Sequence, residues 1–235
     1  MAPNVRLRAS TPCATKFRCI EVHSESALEQ HSPAIAAILR GIRPGEVVGI
    51  GEALVQAGLR IIEVPLNSPE ALASIEKLAS SVGDRALIGA GTVLDKRSVD
   101  AVAAAGAKFA VAPNTSPEVI SRALDLGIEP MPGFMTPTEA FSALSAGARH
   151  LKLFPASSLG FGHISALRDV LPVDCRIWAV GGVSASNVSQ WVASGAYGVA
   201  VGGSLFRPGH SAADARERAE ELLHAWRDAD RSRKG

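Results

Sequence analysis

His150-Leu151-Lys152-Leu153-Phe154-Pro155 is a short apolar run with one lysine at its centre. Apolar residues on both sides of the charge mark a strand buried on both faces, as the strands of a parallel sheet are. An ammonium group there is poorly hydrated, and desolvation lowers the pKa of a lysine. A neutral amine near pH 7 attacks carbonyl carbons, the opening step of Schiff-base chemistry. The competing reading is structural: the ammonium snorkels to the strand end or pairs with a carboxylate.

Seven runs of similar kind flank it: Ala34–Leu39, Arg60–Leu66, Ala86–Val93, Lys108–Pro113, Ile128–Gly133, Arg176–Val183 and Tyr197–Gly203. They recur every roughly 20–27 residues, the length of one strand–helix unit. Helical stretches lie between them, at Pro44–Ala57, Ser68–Ser80, Asp95–Ala105, Ser116–Leu126, Thr136–Ala146 and Ser184–Ser194, and a last one spans Ala212–Arg227. Ser, Thr or Asp opens most of these, and Gly58, Gly83, Gly106, Gly127, Gly147 or Gly195 closes them, the expected capping asymmetry. Eight alternating units without a linker predict an α/β fold, a (β/α)8 TIM barrel forming one domain over residues 31–228. An open parallel sheet has the same rhythm, but no G-x-G-x-x-G follows the first strand. Residues 1–30, with their mixed charges and no apolar h-region, are expected to be a disordered leader, and residues 229–235 a charged tail.

The bulk numbers narrow the function classes. The chain has 235 residues, 47% of them hydrophobic, and a formal net charge of +1. That balance argues against a dedicated nucleic-acid or membrane-surface binder, which needs a basic face. No apolar stretch approaches the ~20 residues that span a bilayer. Three cysteines (Cys13, Cys19, Cys175) form no CxxC pair, which points to a reduced, cytoplasmic protein. The six histidines are scattered, with no HxH or HExxH, so no protein-bound catalytic metal is expected; no cofactor is expected either.

In a barrel the chemistry gathers at the C-terminal ends of the strands. Glu63 sits in Arg60-Ile61-Ile62-Glu63-Val64-Pro65, again a charge flanked by apolar residues. Two buried charges in one core are costly unless they meet each other or a ligand. Either they form a plain ion pair, or Glu63 moves protons while Lys152 makes a covalent bond; a carboxyl in an apolar site can serve as both acid and base. The seventh and eighth runs end in Gly181-Gly182 and Gly202-Gly203-Ser204. Glycines let backbone N–H groups approach an anion, and barrels often hold phosphate at these two loops; tight turns are the bland alternative. Arg40 is a candidate for a second anion, such as a carboxylate. Thr92, closing Gly89-Ala90-Gly91-Thr92, is a ligand hydroxyl or a helix N-cap.

In this order the residues resemble the bacterial 2-keto-3-deoxy-6-phosphogluconate/-galactonate aldolase family. The likeness runs from about Pro33 to Arg227. It is carried by Ala37-Ile38-Leu39-Arg40-Gly41, Ile62-Glu63-Val64-Pro65-Leu66-Asn67-Ser68-Pro69, Ile88-Gly89-Ala90-Gly91-Thr92-Val93-Leu94, Leu151-Lys152-Leu153-Phe154-Pro155 and Ala179-Val180-Gly181-Gly182-Val183. The resemblance implies a metal-free class I aldolase that usually assembles as a homotrimer. By motif, Lys152 would form the Schiff base with pyruvate and Glu63 shuttle protons. Arg40 and Thr92 would hold the carboxylate end, and Gly181, Gly182, Gly202, Gly203 and Ser204 the phosphate. Two details resemble the galactonate branch. Pro65-Leu66-Asn67-Ser68 stands where gluconate enzymes typically carry Thr-Leu-Arg-Thr, and Val180 where they typically carry threonine. A valine near the sugar C4 cannot make a threonine's hydrogen bond. The expected substrate is therefore 2-dehydro-3-deoxy-6-phosphogalactonate, a phosphorylated keto-deoxy sugar acid. The gluconate epimer or dual specificity is the nearer alternative, and a non-covalent phosphosugar isomerase or epimerase the more distant one.

Overall fold

The structure, a computed structural model, describes residues 26–234. Nine parallel strands form one sheet: β1 (Ile35–Ile38), β2 (Ile61–Pro65), β3 (Leu87–Gly91), β4 (Phe109–Val111), β5 (Glu129–Met131), β6 (Gly133–Phe134), β7 (His150–Leu153), β8 (Arg176–Val180) and β9 (Gly198–Val201). Their order is β5-β4-β3-β2-β1-β9-β8-β7-β6. The two ends of that order, β5 and β6, are consecutive in the chain and separated only by Pro132, so the chain itself closes the barrel. β5 and β6 are thus one stave of eight, the predicted run Ile128–Gly133. Its interruption has a simple cause. Glu129 and Gly133 donate N–H groups towards β4, to the carbonyls of Lys108 and Asn114. Residues 130 and 132 face β7, and both are prolines without an N–H to give. The ladder to β7 begins only at Gly133.

Helices α1 (Val47–Ala57), α2 (Ala71–Val82), α3 (Lys96–Ala104), α4 (Pro117–Asp125), α5 (Pro137–Ser145), α6 (Phe161–Arg168), α7 (Val188–Ala193) and α8 (Ala212–Lys234) cover the outside. Several begin where the capping residues stand. Asp95 accepts the Ser98 N–H at 2.7 Å at the start of α3, and Thr136 and Glu139 form a reciprocal capping box on α5, each such cap contributing ~1 kcal/mol. Gly58 ends α1 in the left-handed conformation (φ 114°), whereas Gly83 after α2 does not (φ −65°). Among the described residues no helix is long and apolar enough to cross a membrane.

Period-two alternation divides the core. Outward side chains such as Ile35, Ala37, Ile62, Val64, Leu151 and Leu153 pack against the helices. Inward ones, Ala36, Ile38, Ile61, Leu87, Phe109, Met131, Trp178, Val180 and Ala200, fill the barrel. Glycines make room for the large inward rings: a Cβ at Gly89 would lie 2.4 Å from Phe109, and one at Gly198 2.7 Å from Trp178.

Three expectations are corrected. Residues 1–25 of the expected leader lie outside the described residues, but Ser26–Gln30 belongs to the fold. Leu28 is fully buried in the inner core, and Glu29 pairs with Arg176 at 2.6 Å. Ser26 Oγ meets His150 Nε2 at 2.8 Å, while Trp178 Nε1–H donates to His150 Nδ1 at 2.9 Å. The proton of that imidazole therefore sits on Nε2. Burial, outweighing the nearby Glu29 carboxylate, pulls its pKa down to about 4, so the ring closes the barrel floor as a neutral group. Second, α8 runs on through the expected tail to Lys234. Asp228 pairs with Arg231 and lies 3.5 Å from His224, Asp230 pairs with Arg233 at 2.6 Å, and Ala229 packs into the core. Pairs three and four residues apart favour helix over a free tail. Third, α6 lies where no helix was expected; it starts at Gly160 without a side-chain cap and has Asp169 rather than glycine at its end, so the capping pattern of the other helices is missing.

Candidate active site

Alternation aims Glu63 of β2 and Lys152 of β7 into the barrel. In the closed order of eight staves these two strands stand opposite each other, with three staves between them by either route. Both residues are buried, with 2% and 5% of their surface exposed. Taking two charges from water costs several kcal/mol each unless partners compensate. Yet among the described residues they form no ion pair or hydrogen bond with each other, so the plain ion pair is not what the fold builds. Burial pushes the Lys152 ammonium below its ordinary pKa, Glu63 opposes that, and Arg40 adds to it. Burial also pushes the Glu63 carboxyl up, against the pull of Lys152 and Arg40. The Lys152 Nζ stands 4.6 Å from the centroid of the Phe154 ring, which walls off one side of the amine.

Space for the Glu63 carboxyl is set by its neighbour. A Cβ at Gly91 of β3, in register with Pro65 of β2, would lie 2.9 Å from Glu63 Oε1. The next residue, Thr92, holds φ at 58°. A β-branched residue in the left-handed region costs about 1–3 kcal/mol, strain that concentrates at functional sites. Thr92 is not a helix cap, because Asp95 caps α3.

A cavity of about 560 Å³ opens at the C-terminal end of the barrel. It gathers Arg40, Lys152, Val180, Gly181, Gly182, Gly202, Gly203 and Ser204, as the sequence predicts, with Phe154, Ser184 and Arg207, which sequence reasoning missed. Glu63 and Thr92 stand outside this lining, Glu63 acting on Lys152 through its charge. Grooves of about 840 and 640 Å³ elsewhere on the surface contain neither Lys152 nor Glu63. Among the described residues no cluster of three or more His, Cys, Asp or Glu is placed to hold a metal ion.

The glycine loops are arranged as an anion cradle. Their carbonyls are occupied: Ser157 N–H donates to Gly181, Asn187 Nδ2 to Gly182 at 2.8 Å, Arg207 Nε to Gly203 at 2.7 Å, and Ser204 Oγ to Val183 at 2.7 Å. The N–H groups of Gly182, Gly203 and Ser204 donate to no acceptor among the described residues. Three free amides at one end of a cavity suit a phosphate. Gly182 has φ 78°, and a Cβ there would lie 2.5 Å from Ser157 Cβ, so the turn needs glycine. At the rim, Arg40 Nη1 donates to Asn67 Oδ1 at 3.3 Å, and the Gly41 N–H to Ser68 Oγ at 2.9 Å. These bonds stitch the β1 loop to the β2 loop. Asn67 was legible only as part of a motif, and Arg207 carried no local signal in the sequence.

A desolvated lysine facing a carboxyl across a parallel barrel, with an anion cradle beside it, is the equipment of a lyase that works through an imine. The family model for KDPG and KHG aldolase matches residues 28–219. The chain is 45% identical over 195 residues to the 2-dehydro-3-deoxy-6-phosphogalactonate aldolase of Escherichia coli (strain K12), covering 83% of this chain and 95% of that one. A solved structure described as native KDPGal superposes with a TM-score of 0.85 at 44% identity, covering 86% of this chain and 98% of the other. A porous cage designed by fusing symmetric oligomeric domains matches with a TM-score of 0.84 at 44% identity, covering 86% of this chain and 74% of the other. The chain belongs to the KDPG and KHG aldolase family.

Gly91→Ala tests the fit around Glu63. The added methyl meets the movable end of a side chain, so the fold is expected to survive, with an unchanged circular-dichroism spectrum. Displacing the carboxyl is expected to lower kcat by at least ~100-fold, the scale of a lost acid–base group. Unchanged turnover would show that the carboxyl needs no fixed position.

Proposed function

We propose that this protein is a class I aldolase that cleaves 2-dehydro-3-deoxy-6-phospho-D-galactonate to pyruvate and D-glyceraldehyde 3-phosphate in galactonate catabolism. The observation that carries the reading is the pair of buried, unbonded charged groups, Lys152 and Glu63, converging from opposite staves. The neutral amine of Lys152 attacks the C2 ketone, and loss of water leaves an iminium. That cation takes up the electron pair of the C3–C4 bond as it breaks. Glu63, directly or through a water, accepts the proton of the C4 hydroxyl, and the phosphorylated aldehyde departs. The resulting enamine is protonated at C3, and water releases pyruvate and the free amine. Both pKa shifts serve the cycle: the lowering favours the free amine of Lys152, and the raising favours the protonated carboxyl of Glu63 that returns a proton.

Arg40, held by Asn67, and Thr92 take the carboxylate end; Gly181, Gly182, Gly202, Gly203 and Ser204 take the phosphate. Val180 lines the cavity next to Gly181 without a hydroxyl, and this favours the galactonate series over its C4 epimer. The buried free thiol of Cys175 suits a reducing cytoplasm. The assembly we infer is a homotrimer, supported by the family resemblance and by the use of a similar chain as a symmetric oligomeric domain. Sedimentation equilibrium is expected to give the mass of a trimer; the mass of one chain would remove this part.

Borohydride reduction in the presence of pyruvate tests the chemistry. A stable adduct is expected on the peptide carrying Lys152 and is expected to vanish in Lys152→Ala together with cleavage. Glu63→Gln is expected to keep the adduct while turnover falls about 10²–10⁴-fold. Wild-type cleavage by Lys152→Ala would overturn the reading, and an absent adduct in the folded enzyme would favour a non-covalent isomerase or epimerase.

A further inference from the structure

Arg207 is the one cavity-lining cation for which the mechanism above has no task. It follows a single helical turn that starts at Gly202, whose carbonyl accepts the N–H groups of Leu205 and Phe206 at 2.8 and 2.9 Å. Its Nε donates to the Gly203 carbonyl at 2.7 Å. Neither Nη atom has a hydrogen bond or a carboxylate partner among the described residues. The guanidinium is therefore fixed at one corner and free at the other two, a fork already set for a planar or tetrahedral oxyanion. Fixing it in advance removes much of the side-chain entropy that binding would otherwise cost.

Its place in the cavity differs from that of Arg40. Arg40 leans on the β2 loop through Asn67 and acts on the charges of Lys152 and Glu63, whereas Arg207 is tied to the Gly203 carbonyl of the glycine loop. One guanidinium thus serves the reacting end and the other the glycine end, beside the free amides of Gly203 and Ser204. The two loops also brace each other: a Cβ at Gly41 would lie 2.8 Å from Pro208 Cγ.

We propose that Arg207 is the side-chain ligand of the substrate's distal phosphate and the residue by which the enzyme selects a phosphorylated aldehyde over its unphosphorylated counterpart. The assignment rests on the aldolase reading. It also explains how a cradle of neutral amides holds a dianion. Amides supply geometry without net charge, and Arg207 supplies the positive charge without entering the space around the imine.

The test runs the reaction in the condensation direction with pyruvate and either D-glyceraldehyde 3-phosphate or D-glyceraldehyde. Arg207→Gln is expected to raise KM for the phosphorylated aldehyde about 10- to 100-fold, as loss of charged hydrogen bonds does. KM for pyruvate, and kcat/KM for the bare aldehyde, are expected to stay as in the wild type. Arg207→Lys is expected to fall between, keeping the charge and losing the fork. An unchanged KM for the phosphorylated aldehyde would overturn the proposal. So would an equal loss with both aldehydes, since that would mean Arg207 only braces the Gly203 carbonyl. Calorimetry with inorganic phosphate separates this assignment from the aldolase reading. Phosphate binding lost in Arg207→Gln supports the assignment even if pyruvate trapping fails; binding retained in the variant overturns it.

Discussion

The site depends on keeping Lys152 and Glu63 out of water and apart. Collapsed into an ion pair, the amine would be held as ammonium and unable to attack a carbonyl. Left exposed, it would keep an ordinary pKa with the same result. The barrel meets both conditions through alternation. Leu151 and Leu153 drive β7 against the helices and thereby turn Lys152 inward, as Ile62 and Val64 do for Glu63. Opposite placement of the two strands then limits how closely the side chains approach. The energetic cost of two such groups falls on the whole core, where each fully buried Leu or Ile contributes about 1.5–3 kcal/mol.

The two ends of the barrel divide stability from chemistry. At the floor, Leu28, Trp178, neutral His150 and the Glu29–Arg176 pair seal the interior with satisfied polar groups. At the mouth, glycines take the place of side chains and several polar groups have no partner among the described residues. His150 and Lys152 are two residues apart on one strand and point the same way, yet one is locked by hydrogen bonds and the other is not. Partnering, rather than burial, separates the structural group from the one proposed to be catalytic.

Much of this was written in the chain, and the part that was not has physical causes. A charge inside an apolar run is visible in one dimension, which is why Lys152 and Glu63 could be singled out, and glycine pairs at strand ends pointed to the anion cradle. Arg207 and Asn67 lie in polar loops, where nothing local separates a ligand from a solvated side chain. Ser26–Gln30 reads as leader because Glu29 gives no sign of the arginine it meets 147 positions away. Helix α6 lacks a capping residue, and the extension of α8 rests on ion pairs and one buried alanine rather than an apolar stripe. The split of one stave into β5 and β6 was signalled by Pro130 and Pro132, though only the closed barrel shows which neighbour loses its hydrogen bonds.

The most direct test of this account is the titration of the Lys152 amine in the free enzyme, followed by NMR of ε-15N-labelled lysine and assigned with Lys152→Ala. Burial and Arg40 outweigh Glu63, so the amine is expected to lose its proton below the ordinary lysine value of 10.5. Glu63→Gln, which removes the opposing charge, is expected to lower the midpoint further. A midpoint at or above the ordinary value, or one that Glu63→Gln leaves in place, would contradict the claim that the barrel prepares Lys152 as a neutral nucleophile under the influence of Glu63.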